Sequence, residues 1–175
     1  NGPTVVHGSV GFSGLGTGAL TITNQTAGSA IIHWNGFSIG VNELTKFQQF
    51  ANLAVLNRVT GNELSSILGA LQSDGRVFLI NPNGIVFGAN ARIDTAGLVA
   101  SSLGLSDQDF LANRLRFTEV PGAGAVVNNG VIQTAAGGRV YMVAPTVENN
   151  GLIQSPQGAI VLAAGREIEL VDANS

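Results

Sequence analysis

The sequence predicts an all-β fold, a parallel β-helix (solenoid) with an N-terminal cap and short extra-helical insertions. Three observations predict it. The segment Asn128-Asn129-Gly130-Val131-Ile132-Gln133-Thr134 recurs as Asn149-Asn150-Gly151-Leu152-Ile153-Gln154-Ser155, an offset of 21 residues. Each copy leads through a glycine into a run of β-formers, Gly138-Arg139-Val140-Tyr141-Met142-Val143 and Gly158-Ala159-Ile160-Val161-Leu162. The chain carries 24 glycines but only 5 prolines, a balance suited to many short strands and tight turns.

Self-similarity at a fixed period is the mark of a stacked repeat. A coil of roughly 20 residues holds two or three short strands, and its inward side chains continue an apolar column shared with the next coil. Val, Ile and Leu supply the column, while Asn and Gly make corners where left-handed backbone is needed. A weaker copy lies earlier, where Ala91-Arg92-Ile93-Asp94-Thr95 leads through Gly97 into Leu98-Val99-Ala100. A leucine-rich repeat would need a regular Leu-x-x-Leu-x-Leu frame, which the chain lacks. Short-strand periodicity alone does not separate a β-helix from a β-sandwich of hairpins. The fixed recurrence favours the solenoid.

One domain is expected over residues 1–175, with a capping region over about residues 1–50 and coils over 51–175. Ala19-Leu20-Thr21-Ile22-Thr23 and Ser29-Ala30-Ile31-Ile32-His33-Trp34 read as strands divided by a turn from Asn24 to Gly28. Phe37-Ser38-Ile39 and Leu53-Ala54-Val55-Leu56 continue the series. The end of a solenoid must be covered, so the irregular first half is expected to form the cap. Asn62 to Leu71 reads as an insertion of one or two helical turns. A second insertion, near residues 106–117, reads as a short helix from Ser106 to Leu115. Ser106 would be its N-cap, Asp107 and Asp109 would fill the first turn, and Leu111 and Leu115 would share a face toward the solenoid. Glu167-Ile168-Glu169-Leu170-Val171-Asp172 reads as a further strand with no cap after it. With Asn1 in place of an initiator methionine, the chain reads as a processed or trimmed fragment of something longer.

Composition narrows the function classes. The chain has a mass of 17.9 kDa, the size of one domain, and is 45% hydrophobic but only 11% charged, which excludes a disordered tail. Its net charge of −3 offers no electrostatic footprint for nucleic acid. Ala159 to Ala164 is typical of the longest apolar runs, far short of the roughly 18 residues of a spanning helix, so stable membrane insertion is not expected. The absence of cysteine removes disulfides and thiolate metal sites.

No residue cluster reads as catalytic, cofactor-binding or metal-ligating. His7 and His33 are far apart and lack a nearby cysteine or carboxylate pattern, so both read as packed strand residues. Glu167 and Glu169 alternate on one strand and would share a solvated face, with no cleft to make them a glycosidase pair. Asn24-Gln25-Thr26 matches the glycosylation acceptor pattern, but a turn accounts for it. The glycines from Gly8 to Gly18 lack the lysine and the strand–loop–helix context of a phosphate loop.

The most informative stretch is Val77-Phe78-Leu79-Ile80-Asn81-Pro82-Asn83-Gly84-Ile85-Val86-Phe87-Gly88, two apolar strands joined by a tight turn. Pro82 presets φ for the first central position of a type I turn, Asn83 tolerates the second, and Gly84 suits the exit. Amides at Asn81 and Asn83 each carry a donor and an acceptor, enough to bond exposed backbone at a coil corner, and Asn57 would act alike one coil earlier.

Several segments in order carry a resemblance. They are Ile32-His33-Trp34-Asn35-Gly36-Phe37-Ser38-Ile39-Gly40, then Ala54-Val55-Leu56-Asn57-Arg58-Val59-Thr60-Gly61, then Gly75 to Ile85, and Gly97 to Ser102. Together they resemble the two-partner secretion (TPS) domain of filamentous-haemagglutinin-like exoproteins, and most of all the branch of the high-molecular-weight adhesins. Two departures stand out: the Asn-Pro-Asn-Leu element of the haemagglutinin branch is missing, and Asn62-Glu63-Leu64-Ser65 replaces an Asn-Pro-Ser segment of many relatives. The resemblance implies a right-handed β-helix at the N-terminus of a large exoprotein of a Gram-negative-type bacterium, secreted to the cell surface through the periplasm. It implies recognition by the POTRA domains of an outer-membrane TpsB-type transporter, with no enzyme activity, no cofactor and a monomeric fragment. Residue by residue, Asn81, Pro82, Asn83, Gly84 and Ile85 match the family's Asn-Pro-Asn-Gly-Ile motif, and Asn57 and Arg58 the preceding Asn-Arg, as a transporter-recognition or folding motif. The rival readings are a β-helical polysaccharide-acting enzyme and a module that itself binds host cells or glycans.

Overall fold

Two strand pairs at the N-terminus run against the direction of the coils. In the computed structural model, which describes residues 2–171, β1 (Pro3–His7) and β2 (Val10–Ser13) lie antiparallel on β4 (Ala30–Trp34) and β3 (Ala19–Asn24). From β3 onward the chain winds in parallel coils. The early coils carry β5 (Leu44–Gln48) and β6 (Ala54–Val59), then β7 (Ser65–Ile67), β8 (Ala70–Ser73) and β9 (Arg76–Ile80). The next coil is β10 (Ile85–Phe87), β11 (Arg92–Thr95) and β12 (Gly97–Ser101). After an excursion through α1 (Asp107–Leu111) and β13 (Leu115–Phe117) come two more coils. These are β14 (Val126–Asn128), β15 (Val131–Thr134) and β16 (Arg139–Ala144), then β17 (Val147–Asn149), β18 (Leu152–Gln154) and β19 (Ala159–Ala164). Finally β20 (Ile168–Leu170) returns antiparallel to β13.

Stacking makes three faces. The first runs β1-β4-β6-β9-β12-β16-β19, the second β7-β10-β14-β17, and the third β2-β3-β5-β8-β11-β15-β18. The repeat read in the sequence is the register of the last two coils, with Asn128 opposite Asn149 and Gln133 opposite Gln154. Inside, Ala30, Val55, Val77, Leu98 and Val140 form one buried column on the first face, and Leu71, Ile93 and Ile132 one on the third. The fold class is the one expected.

The first face is buried on both sides. Its outward residues Ile31, Leu56, Phe78, Ile80, Val99 and Tyr141 pack under Leu103, Leu105, Phe110 and Phe117 of the excursion. This is why its strands read as continuous apolar runs instead of alternating ones. The ring of Phe110 meets Phe78 edge-on at 4.9 Å. Ser106 caps α1 as expected, its Oγ accepting the Asp109 N–H at 3.0 Å.

Three expectations need correction. Residues 62–71 form no helical turn and no insertion: they build β7 and enter β8, where Ser65, Ile67 and Leu71 point inward over Ile85, Phe87 and Ile93. The apolar spacing suited either period, and the column beneath decided it. Gly69 turns the corner between β7 and β8, where an added Cβ would run into the Gly40 and Glu43 carbonyl oxygens. The antiparallel cap ends at Ser13, and parallel stacking is under way from Ala19, well before residue 51. Lastly, α1 stops at Leu111, which is exposed, while Phe110 faces inward and Leu115 belongs to β13. The strand expected from Glu167 is β20, with Glu167 and Glu169 both exposed, and Asp172 lies outside the described residues.

Candidate functional site

Asn81-Pro82-Asn83-Gly84 turns the corner between β9 and β10, closed by the Gly84 N–H to the Asn81 carbonyl at 3.0 Å. The Asn81 side chain is fully buried and takes part in the turn, its Oδ1 accepting the Asn83 N–H at 2.9 Å. Gly84 has φ +110°, a left-handed conformation that side chains resist.

The two amides reach back one coil. Asn81 Nδ2 donates to the Glu63 carbonyl at 3.0 Å and to Ser65 Oγ at 2.9 Å. Asn83 Nδ2 donates to the Gly61 carbonyl at 2.8 Å and to Asn81 Oδ1 at 2.9 Å. The backbone reaches forward instead. Pro82 O accepts the Gly124 N–H at 2.9 Å, and the Ile85 N–H donates to Ala125 O at 3.0 Å. Ile85 itself is fully buried between Ser65 and Val126. The motif therefore clamps three successive windings of chain, and its polar groups are spent on backbone.

Asn57 and Arg58 sit one coil earlier on the first face, opposite Leu79 and Ile80, and point to opposite sides. Asn57 is inside, fully buried in the column between Ile32 and Leu79. Its Oδ1 accepts the Trp34 indole N–H at 3.0 Å, and its Nδ2 donates to Phe78 O at 3.2 Å. Arg58 is outside, paired with Asp107 Oδ1 at 2.6 Å and donating to Leu105 O at 2.6 Å and to His33 Nε2 at 2.8 Å. An arginine has no acceptor, so this His33 nitrogen is unprotonated. Burial holds the His33 pKa below its ordinary 6.5, the Arg58 cation lowers it further, and Asp107 opposes both. Arg58 thus pins the start of α1 to the first face. Arg58, Pro82, Leu103 and Asp107 line one shallow groove of about 400 Å³.

Sequence reasoning missed the partners: Trp34, His33, Ser65, Asp107 and the carbonyls of Gly61 and Glu63. Trp34 and His33 precede Asn57 and Arg58 by 23 and 25 residues, one coil length, and that spacing could have found them. His7 is exposed on β1. Among the described residues no group of three or more His, Cys, Asp or Glu could hold a metal ion, and no helix is long and apolar enough to cross a membrane.

The model of the TPS secretion domain family matches residues 9–175, nearly the whole chain. The chain is a TPS secretion domain. It is similar to the HMW1 secretion domain of Haemophilus influenzae, whose crystal structure superposes with a TM-score of 0.90 at 39% identity, covering 98% of this chain and 46% of that one. It is also 37% identical over 134 residues to a heme/hemopexin-binding protein of Haemophilus influenzae, covering 75% of this chain and 15% of that protein. A second protein of that name is 37% identical over 114 residues, covering 65% of this chain. This TPS domain thus spans about a seventh of the length of the first of these relatives. As a secretion-directing module it belongs to an exported protein of the Gram-negative cell surface.

Proposed function

We propose that this TPS domain is recognised by the POTRA domains of a cognate outer-membrane TpsB-type transporter while unfolded, and that it then nucleates β-helix folding at the cell surface. It acts as a monomer and without catalysis. In the periplasm its apolar strands, extended, add to an exposed sheet edge of the transporter. Outside, burial of the shared column makes coil formation favourable and return unfavourable.

In this reading Asn81, Pro82, Asn83, Gly84, Ile85, Asn57 and Arg58 serve export through folding. One observation carries it: both motif amides are bonded to backbone of the preceding coil, leaving little of them to offer a partner. The test is co-expression with the cognate transporter. Replacing Asn81 and Asn83 by Ala should lower the amount of folded, protease-resistant domain outside the cell while transporter binding in the periplasm persists. Normal export and normal protease resistance of that variant would sink the reading.

A further inference from the structure

Four Asn-Gly pairs lie in the described chain: Asn35-Gly36, Asn83-Gly84, Asn129-Gly130 and Asn150-Gly151. In such a pair the glycine amide nitrogen can attack the asparagine side-chain carbonyl, because no Cβ hinders the approach. The nitrogen gives its proton to solvent and forms a bond to Cγ. The Cγ–Nδ2 bond then breaks and ammonia leaves. Water opens the resulting cyclic imide at either carbonyl, giving aspartate or isoaspartate. Two conditions govern the step: the glycine N–H must be free, and the asparagine side chain must be able to swing toward it.

Three pairs fail both conditions. The Gly84 N–H is held by Asn81 O at 3.0 Å, and the Asn83 amide by Gly61 O and Asn81 Oδ1. The Gly130 N–H is held by Asn128 Oδ1 at 3.0 Å, and the Gly151 N–H by Asn128 O at 3.1 Å and Asn149 Oδ1 at 3.2 Å. The side chains of Asn129 and Asn150 are bonded to each other across the coils, Nδ2 of Asn150 to Oδ1 of Asn129 at 3.0 Å. The fourth pair differs. Asn35 is exposed, and neither its amide nor the Gly36 N–H bonds any described residue.

We propose that Asn35 is a site of spontaneous deamidation in the folded domain, and that the stacked corners protect Asn83, Asn129 and Asn150. The site is tied to the corner motif. Asn35 O accepts the Gly61 N–H at 3.1 Å, and Gly61 O in turn accepts Asn83 Nδ2 at 2.8 Å. Isoaspartate adds a backbone atom at position 35 and displaces that carbonyl, so ageing at Asn35 loosens the column that the Asn83 clamp grips.

The four pairs fall in four different tryptic peptides, ending at Lys46, Arg92, Arg139 and Arg166; the first also carries Asn1-Gly2, so conversion there is assigned to position 35 from fragment ions. The folded chain is incubated in mildly alkaline buffer, digested, and each peptide is followed by mass spectrometry for conversion of amide to acid. Freeing a held amide costs about one hydrogen bond, so Asn35 should convert roughly tenfold faster than Asn83, Asn129 or Asn150. In urea the four rates should converge. Asn35→Gln should remove the fast event and leave the others unchanged. Conversion of any other pair at the Asn35 rate in the folded chain overturns the proposal. So does a lead for Asn35 that persists undiminished in urea, since local sequence and not the fold would then set it.

Discussion

Asn57 and Trp34 are joined inside the solenoid, the indole N–H donating to the amide oxygen at 3.0 Å within a column of otherwise apolar side chains. The amide lets an indole enter the core near the capped end with its one donor satisfied. Trp34 then packs edge-on against Phe12 of the cap at 5.9 Å and against Phe37 at 5.3 Å.

Replacing Asn57 by Leu should therefore destabilise the domain although it makes the core more apolar. The Trp34 N–H and the Phe78 carbonyl would lose their partner, a cost of about 1–3 kcal/mol. Urea unfolding followed by tryptophan fluorescence checks it, and a midpoint at or above the parent's would refute the assignment.

The corner clamp is expected to be cooperative. Asn81→Ala and Asn83→Ala should each cost about 1–2 kcal/mol, because the first strips the buried Ser65 hydroxyl and the Asn83 N–H of their partner and the second leaves the Gly61 carbonyl without its donor. Asn81 Oδ1 binds both the backbone and the side chain of Asn83, so the double mutant should cost less than the two separate effects combined, by about 0.5 kcal/mol or more. A double-mutant cycle in urea measures this coupling directly.

Arg58 should govern the excursion more than the coils. Asp107 is half-exposed, so the ion pair contributes only about 0.2–1 kcal/mol. Arg58→Ala also strips the Leu105 carbonyl of its donor. Hydrogen exchange should rise at the α1 amides of Phe110 and Ala112 while the amides of β9 and β12 keep their protection. Equal loss of protection in both places would mean that the excursion and the coils open as one unit.

The same cluster predicts a pH dependence. His33 binds its proton less readily in the folded state than in the unfolded chain, chiefly through burial and then through Arg58. Its contribution to stability is therefore complete above about pH 6.5 and declines as pH falls from there through the lower folded-state value. Protonation would also set a second cation against the Arg58 guanidinium. The urea midpoint should drop across that window, and His33→Gln should flatten the drop.

Gly69→Ala tests the corrected region. A Cβ there meets two backbone carbonyls of the preceding coil, which cannot rotate away as a side chain could. A loss of about 1–3 kcal/mol is expected, measured by thermal unfolding. A neutral outcome would favour the helical turns that the sequence first suggested for this segment.

What the sequence determined by itself is what repeats locally. The Asn-Asn-Gly recurrence set the coil length and the β-former runs set the strands. The Asn-Pro-Asn-Gly stretch specified its own turn through a fixed proline φ, an amide that bonds the next backbone N–H, and a glycine able to adopt φ +110°. The segments that match the family also place the chain among secretion domains. Tertiary structure alone decided the rest. Residues 62–71 became strands because the column formed by Ile85, Phe87 and Ile93 accepts only one period. Neighbours in sequence, Asn57 and Arg58 received unrelated tasks because adjacent strand residues face opposite sides of a sheet that is covered on both. The partners of these residues lie a coil or more away in sequence, brought near by stacking. Local propensity carries no information about contacts of that span.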